Sequence, residues 1–273
     1  MTKKFAVFGN PIEHSKSPPI HQHFAKQFDL EIDYQKILST VEAFNEDINL
    51  FFSTGGVGCN VTVPFKEQAF ALCHTLTNAA ETAKAVNTLY MDEDSNLCGH
   101  NSDGAGLVND LGKNHQIEIN HTNILILGAG GATRGILEPL ITKQPAKITI
   151  ANRTILKAEI LASEFESLFP IESMGTDLGS FKDTADLVIN ATSASLNAEV
   201  PVHNSDIIGN HTICYDLAYA AEPTTFLQWT KTNGAARSID GRGMLVEQAA
   251  VSFYTWTNLA PKTGGAIERL ASF

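Results

Sequence analysis

The apolar positions of this chain fall into short runs of two kinds. Lys4 to Phe8, Ile32 to Leu38, Val57 to Val63, Val86 to Met91 and Leu97 to His100 are short runs followed by turn or polar residues, which predicts strands. Asn123 to Leu127, Lys147 to Ala151, Leu187 to Ile189 and Thr212 to Leu217 are more uniformly apolar, as strands of a parallel sheet buried on both faces are. Between the runs lie helical segments. Ile20, Phe24 and Phe28 recur at fours behind Ser17, the expected N-cap, and Pro18, the expected first helical residue. Val41 to Phe52 is amphipathic and closed by Gly55 and Gly56, while Pro64, Phe65 and Lys66 open a helix to about Cys73. Further helices are expected from Gly104 to about Asn114, Ala132 to Lys143, Ile155 to Phe165 and from Arg242 onward. Strands and helices in alternation predict an α/β protein.

One junction stands out, ILILGAGGATRG from Ile124 to Gly135. A buried strand there runs into Gly128, Ala129, Gly130, Gly131 and Ala132 and then a helix. Glycines in such a turn permit a tight bend and let backbone N–H groups approach a pyrophosphate. Thr133 stands where a third glycine is usual, so the match to the dinucleotide fingerprint is partial. The next strand ends in Asn152, Arg153 and Thr154. A cofactor with a free ribose 2′-hydroxyl calls for an acid at that place, and a 2′-phosphate calls for a cation and donors. No acid is present, so the turn points to NADP(H) rather than NAD; the alternative is that Thr154 caps the next helix and Arg153 is solvated.

Composition narrows the classes. The 273 residues, 43% of them hydrophobic, suit two medium domains. A formal net charge of −11 with only 19 Lys and Arg argues against a nucleic-acid or membrane surface as partner. The apolar stretch after Lys3 and Lys4 ends at Gly9, Asn10 and Pro11, too early for a signal-peptide core, and no run reaches membrane-spanning length, so a cytoplasmic protein is expected. Cys59, Cys73, Cys98 and Cys214 have no short spacing, and the nine histidines form no HExxH, so neither disulfides nor a metal are expected. His21 and His23 read as ordinary core or surface residues.

Several polar residues sit where chemistry is worth suspecting. Ser15 and Ser17 flank a helix start whose free N–H groups suit a carboxylate, although a Ser-Pro start is commonly only a cap. Lys66 opens a helix, where a cation opposes the macrodipole by ~0.3–1 kcal/mol, and a broken local rule at a strand end invites a functional reading. Its bland alternative is a surface lysine. Asp103 could be a helix cap whose carboxylate also faces a cleft. Ligands of open α/β sheets bind beyond the carboxyl ends of the strands, so the polar strand ends are expected to share one crevice. Met244 and Gln248 lie one turn apart on the last long helix.

The segments GNPIEHSKSP, NVTVPFK, AVNT, GHNSDG, GAGGATRG, NRT, NATS, YDLAY and GRGMLVEQAA, in that order, resemble the shikimate dehydrogenase family over nearly the whole chain. The resemblance implies reversible NADPH-dependent reduction of 3-dehydroshikimate to shikimate, on the route to chorismate and the aromatic amino acids. It implies an N-terminal α/β substrate domain, a Rossmann-type doubly wound NADP-binding domain, and C-terminal helices that return to the first; the expected bounds are 1–103 with 242–273, and 104–241. By motif, Ser15 and Ser17 hold the substrate carboxylate, with Tyr219 nearby. Thr62, Asn87, Asp103 and Gln248 hold ring hydroxyls, and Lys66 with Asp103 forms the catalytic pair. Thr192 belongs to the cofactor side, and Leu217, Gly241 and Met244 line the nicotinamide. Ser195 and Lys84 replace usual glycines, Leu217 a common methionine, and Ala220-Ala221 a usual polar pair. A broader quinate/shikimate dehydrogenase and a non-catalytic NADP-binding sensor remain as alternatives, and a monomer or homodimer is expected.

Overall fold

In the computed structural model, which describes residues 2–178, 181 and 184–273, the chain divides into two compact units. One comprises Met1–Leu107 with Leu245–Phe273, the other Val108–Met244.

The first unit is built on β1 (Lys3–Gly9), α1 (Ser17–Lys26), β2 (Ile32–Leu38), α2 (Phe44–Ser53), β3 (Gly56–Val61), α3 (Lys66–Leu72), β4 (Thr75–Leu76), α4 (Asn78–Ala83), β5 (Thr88–Met91) and β6 (Leu97–His100). Its six strands are ordered β2-β1-β3-β5-β6-β4. β1 is parallel to β2 and β3, whereas β5 is antiparallel to β3 and β6. The register Phe8↔Val61 and Asn60↔Thr88 brings the end of β1, the end of β3 and the start of β5 to one level. The chain leaves this unit along α5 (Asp103–Asn109), which runs into a π-helical turn, Asp110–Asn114. It returns along the long helix Arg242–Thr257.

The second unit holds β7 (Asn123–Leu127), α6 (Gly131–Ile141), β8 (Lys147–Ala151), α7 (Ile155–Phe165), β9 (Ile171–Met174), β10 (Leu187–Asn190), β11 (Ile213–Asp216), α8 (Thr225–Thr232) and β12 (Arg237–Asp240). All strand pairs are parallel, in the order β12-β11-β10-β7-β8-β9. Counted along the chain within this unit the order is 3-2-1-4-5-6, the doubly wound dinucleotide-binding arrangement, whose switch point lies between β7 and β10. The uniform apolarity of these strands has its cause here: Leu125, Leu127, Val188 and Cys214 are all fully buried in one core.

α9 (Arg242–Thr257) and α10 (Gly264–Arg269) complete the chain. Val246, Ala249 and Phe253 of α9 and Ala266 of α10 pack on Ile20 and Phe24 of α1. The fours of α1 are therefore an interhelical contact. Phe28, just past the helix, joins the same cluster.

Among the expected boundaries that move, four have a visible cause. α1 begins at Ser17, with Lys16 rather than Ser17 at the cap position, and Ser15 Oγ accepts the Ser17 N–H at 3.3 Å. Pro18 and Pro19 have no N–H, so the first turn lacks the free backbone donors expected beside the two serines. α2 starts at Phe44, because Thr40 Oγ1 accepts the Ala43 N–H and turns the chain first. The ladder of β5 starts only at Thr88, since the Val86 N–H is donated to the Lys66 carbonyl at 2.9 Å. Asp103 is the first residue of α5, and its N–H is held by Asn101 Oδ1 at 3.0 Å, so its carboxylate is not the cap.

Candidate active site

In the first unit the candidate residues gather where the strand ends coincide. Thr62 follows β3 and donates its N–H to the Phe8 carbonyl, while Asn10 donates to the Val63 carbonyl at 3.0 Å, so the loops leaving β1 and β3 run side by side. A Cβ on Gly9 would stand 2.5 Å from Thr62 Cγ2, which requires glycine there. Lys66 is the first residue of α3, and its carbonyl is fixed by Val86. Its Nζ donates to Asp103 Oδ2 at 2.6 Å in a part-buried pair.

The other oxygen of Asp103 is held as tightly. Asn87 Nδ2 donates to Asp103 Oδ1 at 2.8 Å. The Asn87 amide has one workable orientation, because its Oδ1 accepts from the Ser102 N–H at 3.0 Å and from Thr88 Oγ1 at 2.8 Å. Thr88 Oγ1 lies 2.7 Å from Ser252 Oγ on α9, and Ser252 Oγ accepts from Asn60 Nδ2 at 3.0 Å. Asn60 Oδ1 accepts in turn from the Tyr34 phenol at 2.7 Å. Gln248 Oε1 stands 3.4 Å from Asn87 Nδ2 and 3.3 Å from Ser102 Oγ. Lys66, Asn87, Asp103 and Gln248, far apart in sequence, thus form one constellation on a buried polar network. Thr88, Ser102, Ser252, Asn60 and Tyr34 are the supports that sequence reasoning missed. Thr88 and Ser102 adjoin AVNT and NSD, which could have flagged them; nothing local marks Ser252 or Asn60.

In the second unit, Gly128 has φ +104°, a conformation that favours glycine, and a Cβ there would meet Thr192 Cγ2 at 3.0 Å. The turns after β7 and β10 therefore touch, bringing Thr192 to the glycine turn. At Gly130 and Gly131 an added Cβ meets nothing within 4 Å. The protein does not fill this cradle at the start of α6, so a pyrophosphate fits it. Thr133 is buried and donates Oγ1 to the Gly128 carbonyl at 2.8 Å. The third position of the fingerprint thus closes the turn by a side-chain hydrogen bond. Asn152 braces the turn from β8: Oδ1 accepts the Ala129 N–H at 3.2 Å and Nδ2 donates to the Thr154 carbonyl at 2.8 Å. One Asn152 donor expected for a 2′-phosphate is thereby spent within the protein. Thr154 occupies the cap position of α7 but makes no side-chain cap, and Arg153 is exposed.

Ser195 is explained by its partners. It donates to Asp216 Oδ2 at 2.6 Å and accepts from Asn190 Nδ2 at 3.1 Å, and Thr224 also donates to Asp216 Oδ2. Burial pushes the Asp216 carboxyl up against the pull of these hydrogen bonds. Asn190 Oδ1 in turn accepts from the Thr192 hydroxyl at 2.7 Å. Leu217 and Gly241 are in contact, since a Cβ on Gly241 would lie 2.2 Å from the Leu217 carbonyl oxygen. Tyr219 is half-buried, which raises its phenol, and Met244 is half-buried in the first turn of α9. Lys84 ends α4 with φ +49°, so the position where glycine is usual does take up the left-handed conformation. The structure offers no account of Ala220-Ala221. Among the described residues there is no group of three or more His, Cys, Asp or Glu side chains that could hold a metal ion, and no helix long and apolar enough to cross a membrane.

A doubly wound sheet with an open glycine cradle, joined in one chain to a second α/β unit bearing an aligned lysine-carboxylate pair, defines the class of two-unit, dinucleotide-binding dehydrogenases. The models for the shikimate dehydrogenase substrate binding domain, for shikimate / quinate 5-dehydrogenase and for the shikimate 5'-dehydrogenase C-terminal domain match residues 7–89, 110–213 and 241–270. The chain belongs to the shikimate dehydrogenase family. It is 46% identical over 271 residues to the shikimate dehydrogenase (NADP(+)) of Marinobacter nauticus, covering 97% of each chain. To the protein of the same name from Cellvibrio japonicus it is 48% identical, over 96% of this chain and 94% of the other. Its fold superposes on a shikimate 5-dehydrogenase from Thermus thermophilus, solved in complex with NADP(H) and shikimate, with a TM-score of 0.88 at 30% identity, covering 99% of this chain and all of that one.

Proposed function

We propose that the protein is an NADP-dependent shikimate dehydrogenase that reversibly reduces 3-dehydroshikimate to shikimate. The observation that carries the reading is the 2.6 Å Lys66–Asp103 pair, held in place by Asn87. When bound, the nicotinamide supplies the hydride; the protein's part is to place the substrate and to move one proton. In the reducing direction Lys66 Nζ gives its proton to the carbonyl oxygen, and in the oxidising direction it takes the hydroxyl proton back. Asp103 orients Nζ, and its Oδ1 is oriented by Asn87. Ser15 and Ser17 hold the substrate carboxylate, with Tyr219 as a further contact, and Thr62, Asn87, Asp103 and Gln248 hold ring hydroxyls.

Gly128, Ala129, Gly130, Gly131 and Ala132 take the pyrophosphate; Arg153, with Asn152 and Thr154, takes the 2′-phosphate. Thr192, Leu217, Gly241 and Met244 belong to the nicotinamide side. We assign substrate binding to the first unit and cofactor binding, Met244 included, to the second. Four free cysteines suit a reducing compartment, supporting action in the cytoplasm, as a monomer or homodimer.

The test is a spectrophotometric assay of the purified protein with shikimate and quinate, each against NADP and NAD. Rapid turnover of shikimate with NADP is expected. Equal turnover of quinate would favour the broader enzyme, and NADP binding without turnover of either acid would favour a sensor.

A further inference from the structure

Asp110 is charged, fully buried and outside the machinery described above. Burying a carboxylate is costly unless it is paired and hydrogen-bonded, and an apolar residue would fill the volume more cheaply. Its partners converge from separate elements. The Tyr215 phenol on β11 donates to Oδ2 at 2.7 Å, and Asn114 Nδ2, at the far end of the π-helical turn, donates to Oδ1 at 2.8 Å. His115 Nε2 lies 3.5 Å from Oδ2. Arg237 on β12 holds that histidine through its carbonyl at 2.8 Å and Nδ1 at 3.0 Å. A guanidinium only donates, so Nδ1 accepts and the Nε2 proton faces Asp110. Burial pushes the Asp110 carboxyl up, but the donors from His115, Tyr215 and Asn114 outweigh it and hold it below the usual carboxylate range.

The carboxylate is set against the first turn of α9. A Cβ on Gly243 would fall 1.9 Å from Asp110 Oδ1 and 2.5 Å from Oδ2, so only glycine allows the approach. Anionic charge complements the N-terminal end of a helix, whose first N–H groups lack intrahelical partners. The Met244 backbone N–H faces the Tyr215 phenol oxygen. Asp110, Tyr215, Gly243 and Met244 all belong to the second unit.

We propose that Asp110, with Tyr215, is a positioning residue for the reaction: it fixes the Gly243–Met244 turn and thereby the place Met244 offers the nicotinamide. The inference rests on the reading of Met244 as a nicotinamide contact. Tyr215 keeps the carboxylate aimed, and the Arg237–His115 pair braces it from behind. Displacement of this turn disturbs the hydride-donating end of the cofactor and leaves the glycine cradle and Arg153 untouched.

The test compares Tyr215→Phe, Asp110→Asn and Met244→Ala with the unaltered protein. For each, kcat is measured with shikimate and NADP, and calorimetry gives the Kd of NADP and of 2′-phospho-ADP-ribose, which lacks the nicotinamide. Tyr215→Phe removes one hydroxyl and guards against a misfolded Asp110→Asn. The expected result is a kcat loss on the order of ten- to a hundredfold in all three, as for slight misplacement of a reacting group, with the fragment bound as before. If Met244→Ala lowers kcat while Tyr215→Phe and Asp110→Asn leave it unchanged, the inference is overturned. It is equally overturned if fragment affinity falls along with kcat, since that marks general loosening of the unit. A silent Met244→Ala overturns the nicotinamide reading itself, so the two failures are told apart by which variant is silent.

Discussion

Lys66 faces one carboxylate oxygen at 2.6 Å from the first turn of a helix, the place where a cation gains least from the helix dipole. That arrangement is hard to justify by stability and easy to justify by proton transfer. Lys66→Ala is expected to lower kcat by about 10²–10⁴-fold, the usual contribution of a positioned acid-base group, with KM for shikimate changing far less. Steady-state kinetics in both directions would check it, and a near-normal kcat would remove Lys66 from the mechanism. Arg153 is exposed, and neither Asn152 nor Thr154 spends its side chain on it. A charge-assisted hydrogen bond to a 2′-phosphate is worth ~1.5–3 kcal/mol, or about one to two factors of ten. Arg153→Ala should therefore weaken NADP by that range and leave NAD almost unaffected. Titration with both cofactors decides the point, because equal losses would mean that the arginine serves the fold.

At the scale of elements, the start of α1 shows how a local pattern can mislead. A Ser-Pro helix start suggests free N–H donors, yet Pro18 and Pro19 provide none and Ser15 takes the N–H of Ser17. A substrate carboxylate there has to be met by hydroxyls. The variant carrying Ser15→Ala and Ser17→Ala is accordingly expected to raise KM for shikimate about tenfold or more, as loss of hydrogen bonds to a charged group does, while the Kd for NADP stays unchanged. Calorimetry with NADP and a thermal melt of the same variant separate this from simple destabilisation of the first unit. α9 serves two ends: Gly243 and Met244 in its first turn belong to one unit, and Gln248 and Ser252 further along support the Asn87–Asp103 pair in the other.

For the molecule as a whole, stability should depend on pH through a residue that plays no part in the chemistry. His21 is fully buried against Tyr34, Phe253 and Trp256, and the neighbouring Asn60 side chain is too weak a partner to offset that burial. Burial pushes its pKa down to about 3 from 6.5. Between those values the unfolded chain binds a proton that the folded chain refuses. This residue therefore favours the unfolded state increasingly as pH falls from 6.5 to about 3, by up to about 1.4 kcal/mol per pH unit. Above pH 6.5 the penalty is absent. His21→Phe should flatten the fall in stability across that window by about one proton, as read from denaturant unfolding at a series of pH values. An unaltered slope would show that His21 titrates normally in the folded state.

The sequence by itself determined β7, β8 and α7 to the residue and β10 and β11 to within one residue at an end, because these segments carry their burial in their own composition, whereas the edge strands β9 and β12 carry no such signal. It also marked the glycine turn, the basic turn after β8 and the segments holding Lys66, Asn87, Asp103 and Gln248, since chemistry of this kind needs particular residue types at strand ends. Only the tertiary structure decided what orients them. Asn87 is aligned by Thr88 and Ser102, and Thr88 by Ser252, which lies 164 residues away. Asp110 and Gly243 likewise meet across almost half the chain. A helix cap or a buried strand is written in neighbouring residues, whereas a hydrogen bond between distant segments exists only after the sheet has set their register. Local patterns reveal where functional groups stand, and the fold alone fixes which partner each one faces.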